Sequence, residues 1–215
     1  MKIARVRAKN FKSFADLDLE MNSLNVFIGA NASGKSNFVR IFDFLRNIAE
    51  HGLNNAISME GGVEYLRNIN LKARENLEIS VIYLVDFGFT HKAELGIVGA
   101  KVTEVEYKFV IRFHQRWAEF KIVQDSLAFV YDFVRLEASD DKWSEIEQLG
   151  SGKGELSING RRMIKARVEV PDELKLTAEE LVLPGPSIWW FRDSTAEITA
   201  WNTIFWVCAS VKLSI

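Results

Sequence analysis

The stretch GANASGKS, Gly29 to Ser36, constrains this chain more than any other segment of similar length. It follows the apolar run LNVFI, Leu24 to Ile28, and precedes residues Phe38, Ile41, Phe42, Leu45, Ile48 and Ala49, which recur at helical spacing. Gly52 stands where a C-terminal cap belongs. A short, continuously apolar run is typical of a strand buried on both faces in a parallel sheet, so the expected order is strand 24–28, loop, helix 36–50.

The residue types between strand and helix point to one chemistry. Every fixed position of the pattern G-x-x-x-x-G-K-[ST] is filled, by Gly29, Gly34, Lys35 and Ser36. Small residues let successive backbone N–H groups curl around phosphate oxygens. Lys35 adds a point charge on the same oxygens, and the Ser36 hydroxyl is suited to Mg²⁺. A helix beginning at Ser36 points the positive end of its dipole at the anion. Nucleotide binding is therefore expected, with a chance glycine-rich turn as the alternative.

Upstream, residues 2–21 have the pattern of a β-hairpin. Ala4, Val6 and Ala8 alternate with Arg5, Arg7 and Lys9, and Leu17, Leu19 and Met21 alternate with Asp16, Asp18 and Glu20. A turn centred between Lys12 and Ser13 sets Lys9 opposite Asp16, Arg7 opposite Asp18 and Arg5 opposite Glu20. Each such pair contributes roughly 0.2–1 kcal/mol. The basic stripe thus reads as a charge-neutralised solvent face in preference to a nucleic-acid contact.

From about residue 76 the period changes to two. Leu77, Ile79, Val81, Tyr83, Val85 and Phe87 alternate in one segment, and Val105, Tyr107, Phe109, Ile111 and Phe113 in another. The segment FKIVQDSLAFVYDFVRLE continues in the same style, and INGR around Asn159–Gly160 signals a further hairpin. Successive strands joined by short turns predict an antiparallel lobe. A P-loop kinase would continue with parallel strands and an Arg-bearing lid, so this run speaks against one. Near the end, Thr177 with Glu180 and Ser194 with Glu197 have capping-box spacing, and four of the six tryptophans lie at or after Trp189.

Together, KNFKSF, LNVFIGANASGKSNF and the Phe- and Leu-rich helix resemble the N-terminal lobe of SMC/RecF/Rad50-like ABC ATPases, in particular the AAA15/AAA21-type (OLD-like) P-loop ATPases. The likeness is specific over residues 1–50 and architectural from 76 to about 136. It implies an α/β fold: a P-loop core with the N-terminal hairpin over 1–75, an antiparallel β-subdomain over 76–170, and a partly helical tail over 171–215 belonging to an incomplete second lobe. It further implies that Gly29, Asn31, Ala32, Ser33, Gly34, Lys35, Ser36 and Asn37 line the triphosphate of ATP. Lys12 matches a basic turn position lying near the nucleotide; a simple exposed turn lysine is the alternative. Gln124, at the end of an apolar stretch, is a candidate for the lobe-junction Gln that would join Ser36 at Mg²⁺; a position in the second half of a β-hairpin is the alternative.

A working site of this type also needs an apolar strand ending in Asp-Glu and a Leu-Ser-Gly-Gly-type signature offered across a dimer. VIYLVDF at Asp86 and LAFVYDF at Asp132 each place Phe after the Asp, so neither supplies a general base. LGSGKGE, Leu149 to Glu155, has the wrong order for a signature or a second phosphate loop and reads as a solvated loop. The resemblance places the missing parts in a C-terminal lobe or second subunit. The expected function is Mg-ATP binding by half of an ATPase for DNA repair or phage defence, with little turnover alone. The alternative is a nucleotide-stabilised assembly module.

Composition limits the remaining partners. A formal net charge of −2 gives no general attraction to nucleic acid, and DNA is a partner by resemblance only; Arg67, Lys72 and Arg74 form a small basic cluster of ordinary surface type. The single Cys208 excludes an internal disulfide, and His51, His91 and His114 lack metal-ligand spacing. MKIARVRAKN has no apolar h-region, and ITAWNTIFWVCASV is too short and too polar to span a bilayer. A cytoplasmic protein without a membrane partner is expected.

Overall fold

The computed structural model describes residues 2–71, 75–93, 96–114, 120–139, 142–159 and 163–174. The Thr177 and Ser194 capping boxes, the Trp-rich tail, the Gly160 turn, Lys72 and Arg74 lie outside the described residues. Seven strands hydrogen-bond in the order β2-β1-β3-β4-β5-β6-β7. They are β1 (Lys2–Phe11), β2 (Phe14–Glu20), β3 (Leu77–Ala93), β4 (Gly96–Phe113), β5 (Phe120–Ser139), β6 (Lys142–Asn159) and β7 (Met163–Glu169). Helices α1 (Lys35–His51), α2 (Leu53–Met59) and α3 (Val63–Leu66) fall between β2 and β3. The pairings β1–β2, β5–β6 and β6–β7 are antiparallel. Two compact units emerge, and their boundaries cut through β3, β4 and β5.

One unit contains β1, β2, all three helices, and the segments of β3 to β5 at 77–82, 107–113 and 120–125. The hairpin register is the one the charges dictate: Lys9 faces Asp16, Arg7 faces Asp18 and Arg5 faces Glu20. The side chains then choose a diagonal. Arg5 grips Asp18 with two bonds of 2.6 and 2.7 Å, while Glu20 stays at 3.9 Å. Bidentate geometry favours this choice, and the Arg5 hydrogen bond holds the Asp18 carboxyl below the usual carboxylate range. On the other face Val6 and Ala8 are buried, and Phe11, just past the left-handed Asn10, is buried too, its ring 6.0 Å from that of Phe44 on α1.

Helix α1 buries Phe38, Ile41, Phe44 and Ile48 and ends at Gly52, whose N–H bonds the Ile48 carbonyl. The stripe is thus centred on Phe44, leaving Phe42 and Leu45 half-buried at its margins. Asn10, fully buried with φ of 54°, donates to the Glu75 carbonyl and accepts from the Asn68 N–H, so one amide ties β1 to the chain on both sides of residues 72–74.

The expected strand at 24–28 is not formed: these residues pair with no strand. Leu24, Val26 and Ile28 are 82%, 73% and 91% exposed. A strand exists through the partner that takes its backbone N–H and C=O groups, and none of the described residues offers one here. Among the described residues, the α/β core expected around it is correspondingly reduced to one sheet with three α-helices.

The second unit contains the segments of β3 to β5 at 83–93, 96–106 and 126–139, with β6 and β7. Phe129, Tyr131 and Phe133 stack along β5 with centroids 6.1 and 5.9 Å apart. LGSGKGE, expected as a loop, lies inside β6. A Cβ on Gly152 would stand 2.5 Å from the Glu169 carbonyl oxygen and 2.8 Å from the Phe133 ring, so glycine here lets β7 and an aromatic side chain approach the β6 backbone. Asp86 and Asp132 lie within β3 and β5; Lys101 is 3.4 Å from Asp86, and Ser151 donates to Asp132 at 2.8 Å.

One buried acid makes stability depend on pH. Burial pushes the Asp125 carboxyl up to about 6, an effect partly offset by the nearby Tyr107 hydroxyl. A carboxylate raised above its unfolded value adds stability that is full below pH ~4 and lost as pH rises through about 6. Asp125→Asn is expected to raise the unfolding free energy at pH 8 by about 1–3 kcal/mol over its effect at pH 4, read from paired urea titrations.

Candidate phosphate-binding site

The loop between Ile28 and α1 is organised by two backbone inversions and one lysine. Ala32 has φ of 64° and Gly34 φ of 97°. Left-handed residues next to right-handed ones turn consecutive N–H groups to the same side, the geometry of an anion nest. Helix α1 begins directly after Gly34 with no side-chain cap and no acid in its first turn. Its leading N–H groups thus have no side chain of their own to satisfy them, and its positive end carries no local countercharge. Asn31, Ala32, Ser33 and Ser36 are exposed, Lys35 and Asn37 half-buried, and Gly34 buried.

The Lys35 ammonium lies across the loop, donating to the Gly29 and Ala30 carbonyls at 2.7 Å each and to the Ser33 hydroxyl at 3.2 Å. All three donors of the group are used within a loop spanning seven residues, Gly29 to Lys35. The positive charge therefore sits beside the N–H groups of the same turn, as binding of a polyanion requires. The two motif glycines differ in constraint. A Cβ on Gly29 would meet the flexible Ser33 hydroxyl at 2.9 Å, whereas one on Gly34 would meet Ser13 Oγ at 2.9 Å and the Phe14 ring at 3.0 Å.

Those two contacts bring the β1–β2 turn onto the loop, an association the sequence pattern did not reveal. Asn37 Nδ2 donates to Ser13 Oγ at 2.8 Å, so Asn37 braces the turn. In the same turn, Lys12 Nζ stands 2.7 Å from Glu60 Oε2 and donates to the Tyr65 carbonyl at 3.3 Å. Glu60 was not singled out by the sequence, since a lone acid before Gly61–Gly62 carries no local signal. Gln124 lies half-buried on β5, next to Asp125.

The donor set fits a phosphate chain with Mg²⁺. Among the described residues there is no cluster of three or more His, Cys, Asp or Glu able to hold a metal by itself. A hard cation here would be held by the Ser36 hydroxyl together with the oxygens of the ligand and water, the arrangement Mg²⁺ tolerates. No described helix is long and apolar enough to cross a membrane.

Comparison with known proteins agrees with this geometry. Residues 1–156 match the AAA ATPase domain, and the chain belongs to that family. Its N-terminal region is SMC/RecF-like. The DNA replication and repair protein RecF of Corynebacterium jeikeium (strain K411) is 29% identical over 77 residues, 35% of this chain and 18% of the relative. RecF of Lactococcus lactis subsp. cremoris (strain MG1363) is 38% identical over 52 residues, 24% of this chain and 14% of the relative. The uncharacterized protein MJ1542 of Methanocaldococcus jannaschii is 39% identical over 85 residues, 39% of this chain and 10% of the relative. The matched segments thus span less than a fifth of the relatives' own length. Family and loop together make nucleotide binding the coarse function of this region.

Gly34→Ala is expected to lower the unfolding free energy by about 1–3 kcal/mol, because strain and collision add. Gly52→Ala separates the two costs: nothing lies within 4 Å of the added Cβ, but φ of 79° with ψ of 160° is a region nearly reserved for glycine, so a purely conformational loss of about 1–3 kcal/mol is expected. Urea denaturation of both variants measures the two losses.

Proposed function

We propose that this chain binds Mg-ATP as the N-terminal half of an ABC-type ATPase and hydrolyses little by itself. One observation carries the proposal: an uncapped, acid-free helix N-terminus, the inverted backbone at Ala32 and Gly34, and the Lys35 ammonium converge on one loop. In this assignment the N–H groups from Asn31 to Ser36 cradle the β- and γ-phosphates, with Gly29 closing the loop's start and Asn37 beside it. Lys35 leaves its carbonyl partners for phosphate oxygens, which offer the ammonium charge-assisted bonds. Ser36 ligates Mg²⁺, and Gln124 is the second candidate ligand.

The acid that activates water, and a signature presented in trans, are assigned to a C-terminal lobe or second subunit. The exposed run Leu24–Ile28 supports this, because residues of strand composition with unpaired backbone are what an added parallel strand would cover. The same observation favours a second reading, in which nucleotide holds the lobe in shape and the covered run recruits the partner. RecF relatives are named for DNA replication and repair, and that likeness supports a role in genome maintenance; a role in phage defence rests on the OLD-like resemblance alone.

Calorimetry on the 215-residue chain is expected to show one Mg-ATP site, weakened about ten- to a hundredfold by Lys35→Ala, the worth of one charge-assisted bond. Absence of heat on folded protein overturns the proposal. A steady-state ATPase rate that Lys35→Ala abolishes would place the whole catalytic apparatus within this chain. A complex with a C-terminal lobe that forms without turnover would favour the assembly role.

A further inference from the structure

We propose that Glu60 is a positioning residue for the phosphate loop: it locks the β1–β2 turn in the shape that presses on Gly34. For what the loop binds, this rests on the nucleotide proposal; the geometry of the lock does not.

The lock is built from three elements. Lys12 stands in the two-residue turn with φ of 48°, a left-handed conformation that costs a non-glycine residue about 1–2 kcal/mol. Such strain persists only where the surroundings over-determine it. Here they do so through three contacts: the Lys12 N–H donates to the Leu66 carbonyl at 2.8 Å, Nζ donates to the Tyr65 carbonyl at 3.3 Å, and Nζ stands 2.7 Å from Glu60 Oε2. The side chains of Lys12 and Glu60 are only 9% and 7% exposed, so this pair is barely screened by solvent. Arg40 on α1 adds a second cation 3.7 Å from the same Glu60 oxygen. That oxygen has no aligned hydrogen bond, so its attachment is electrostatic, shared between the turn and the phosphate-loop helix.

The turn then transmits this anchorage to the loop. Immediately after Lys12, Ser13 accepts from Asn37 of α1, and both Ser13 and Phe14 stand against Gly34. Glu60 itself is fixed from below, since its N–H donates to the Ala56 carbonyl and the N–H groups of Gly61 and Gly62 to the Ser58 and Ile57 carbonyls. The chain of contacts runs from the end of α2 through the carboxylate to the turn, and from the turn to the first residues of α1. Removing the charge at residue 60 leaves Lys12 strained and its buried ammonium without a counterion, which frees the turn to leave Gly34.

The test is amide hydrogen exchange of Glu60→Gln, followed by Mg-ATP calorimetry. We expect the amides of residues 12–14 and 33–37 to exchange about tenfold faster or more, while those of β5 and β6 keep their wild-type rates. Glu60→Asp should restore part of the protection, and the exchanged pair Lys12→Glu with Glu60→Lys more than either single change. The Mg-ATP dissociation constant of Glu60→Gln should rise about five- to tenfold. Exchange that is unchanged, or faster uniformly across the chain, overturns the proposal, because a merely structural acid would lower global stability without singling out the loop. If Glu60→Gln does not fold, Arg40→Gln replaces it, with the same loop-confined acceleration expected. Wild-type protein that binds no Mg-ATP would sink the nucleotide assignment while the exchange data still decide the lock.

Discussion

The close approach of Ser13 and Phe14 to Gly34 governs the N-terminal unit. A Cβ at residue 34 would collide with Ser13 and Phe14, the backbone there is left-handed, and the residue is buried although Asn31 to Ser33 before it are exposed. The contact fixes the end of the loop from outside. Phe11 on Phe44, two residues before Ser13 and within α1, secures the same strand and helix from the core side. A loop held at its helical end by a turn keeps that end of its backbone in place, and such preorganisation reduces the entropy lost on binding, whereas the Lys35 ammonium has its three loop bonds to exchange.

A second constraint is the obligation of every buried backbone group to find a partner. Seven strands meet it through their ladders, whereas Leu24 to Ile28 does not enter one. The segment is held at one end by an Asn22–Asn25 clip, in which Asn25 bonds both the N–H and the carbonyl of Asn22, and at the other by Phe27 against Phe38 at 4.6 Å. Apolar side chains thereby stay exposed immediately before the phosphate loop. Covering them would remove apolar surface from water beside the residues proposed to hold nucleotide, and under that proposal binding and assembly are linked.

Much of this was legible in residue order because it depends on neighbours in the chain. The hairpin register follows from alternating bases opposite alternating acids, and the end of α1 follows from Gly52. The helical face was found but misphased by choosing Phe42 and Leu45 over Phe44, since four aromatic and aliphatic residues within one turn and a half suit more than one stripe. LGSGKGE was misassigned because glycine ordinarily weakens strands, and what overrides this is a carbonyl and a ring arriving from residues 169 and 133. The raised Asp125 carboxyl had no local signal either, since burial in β5 is decided by what packs on the strand.

By itself the sequence determined the spacing of Gly29, Gly34, Lys35 and Ser36, the strand pairing of residues 5–20 and the cap at Gly52, all set by short-range sterics and charge. Only the tertiary structure decided that Lys12 turns to Glu60, 48 residues on, and that the turn beside it bears on Gly34. It also decided that an apolar run of strand composition pairs with no strand among the described residues. Ion pairs between distant residues and strand ladders depend on which surfaces meet in space, and residue order records that only where the partners are near in the chain.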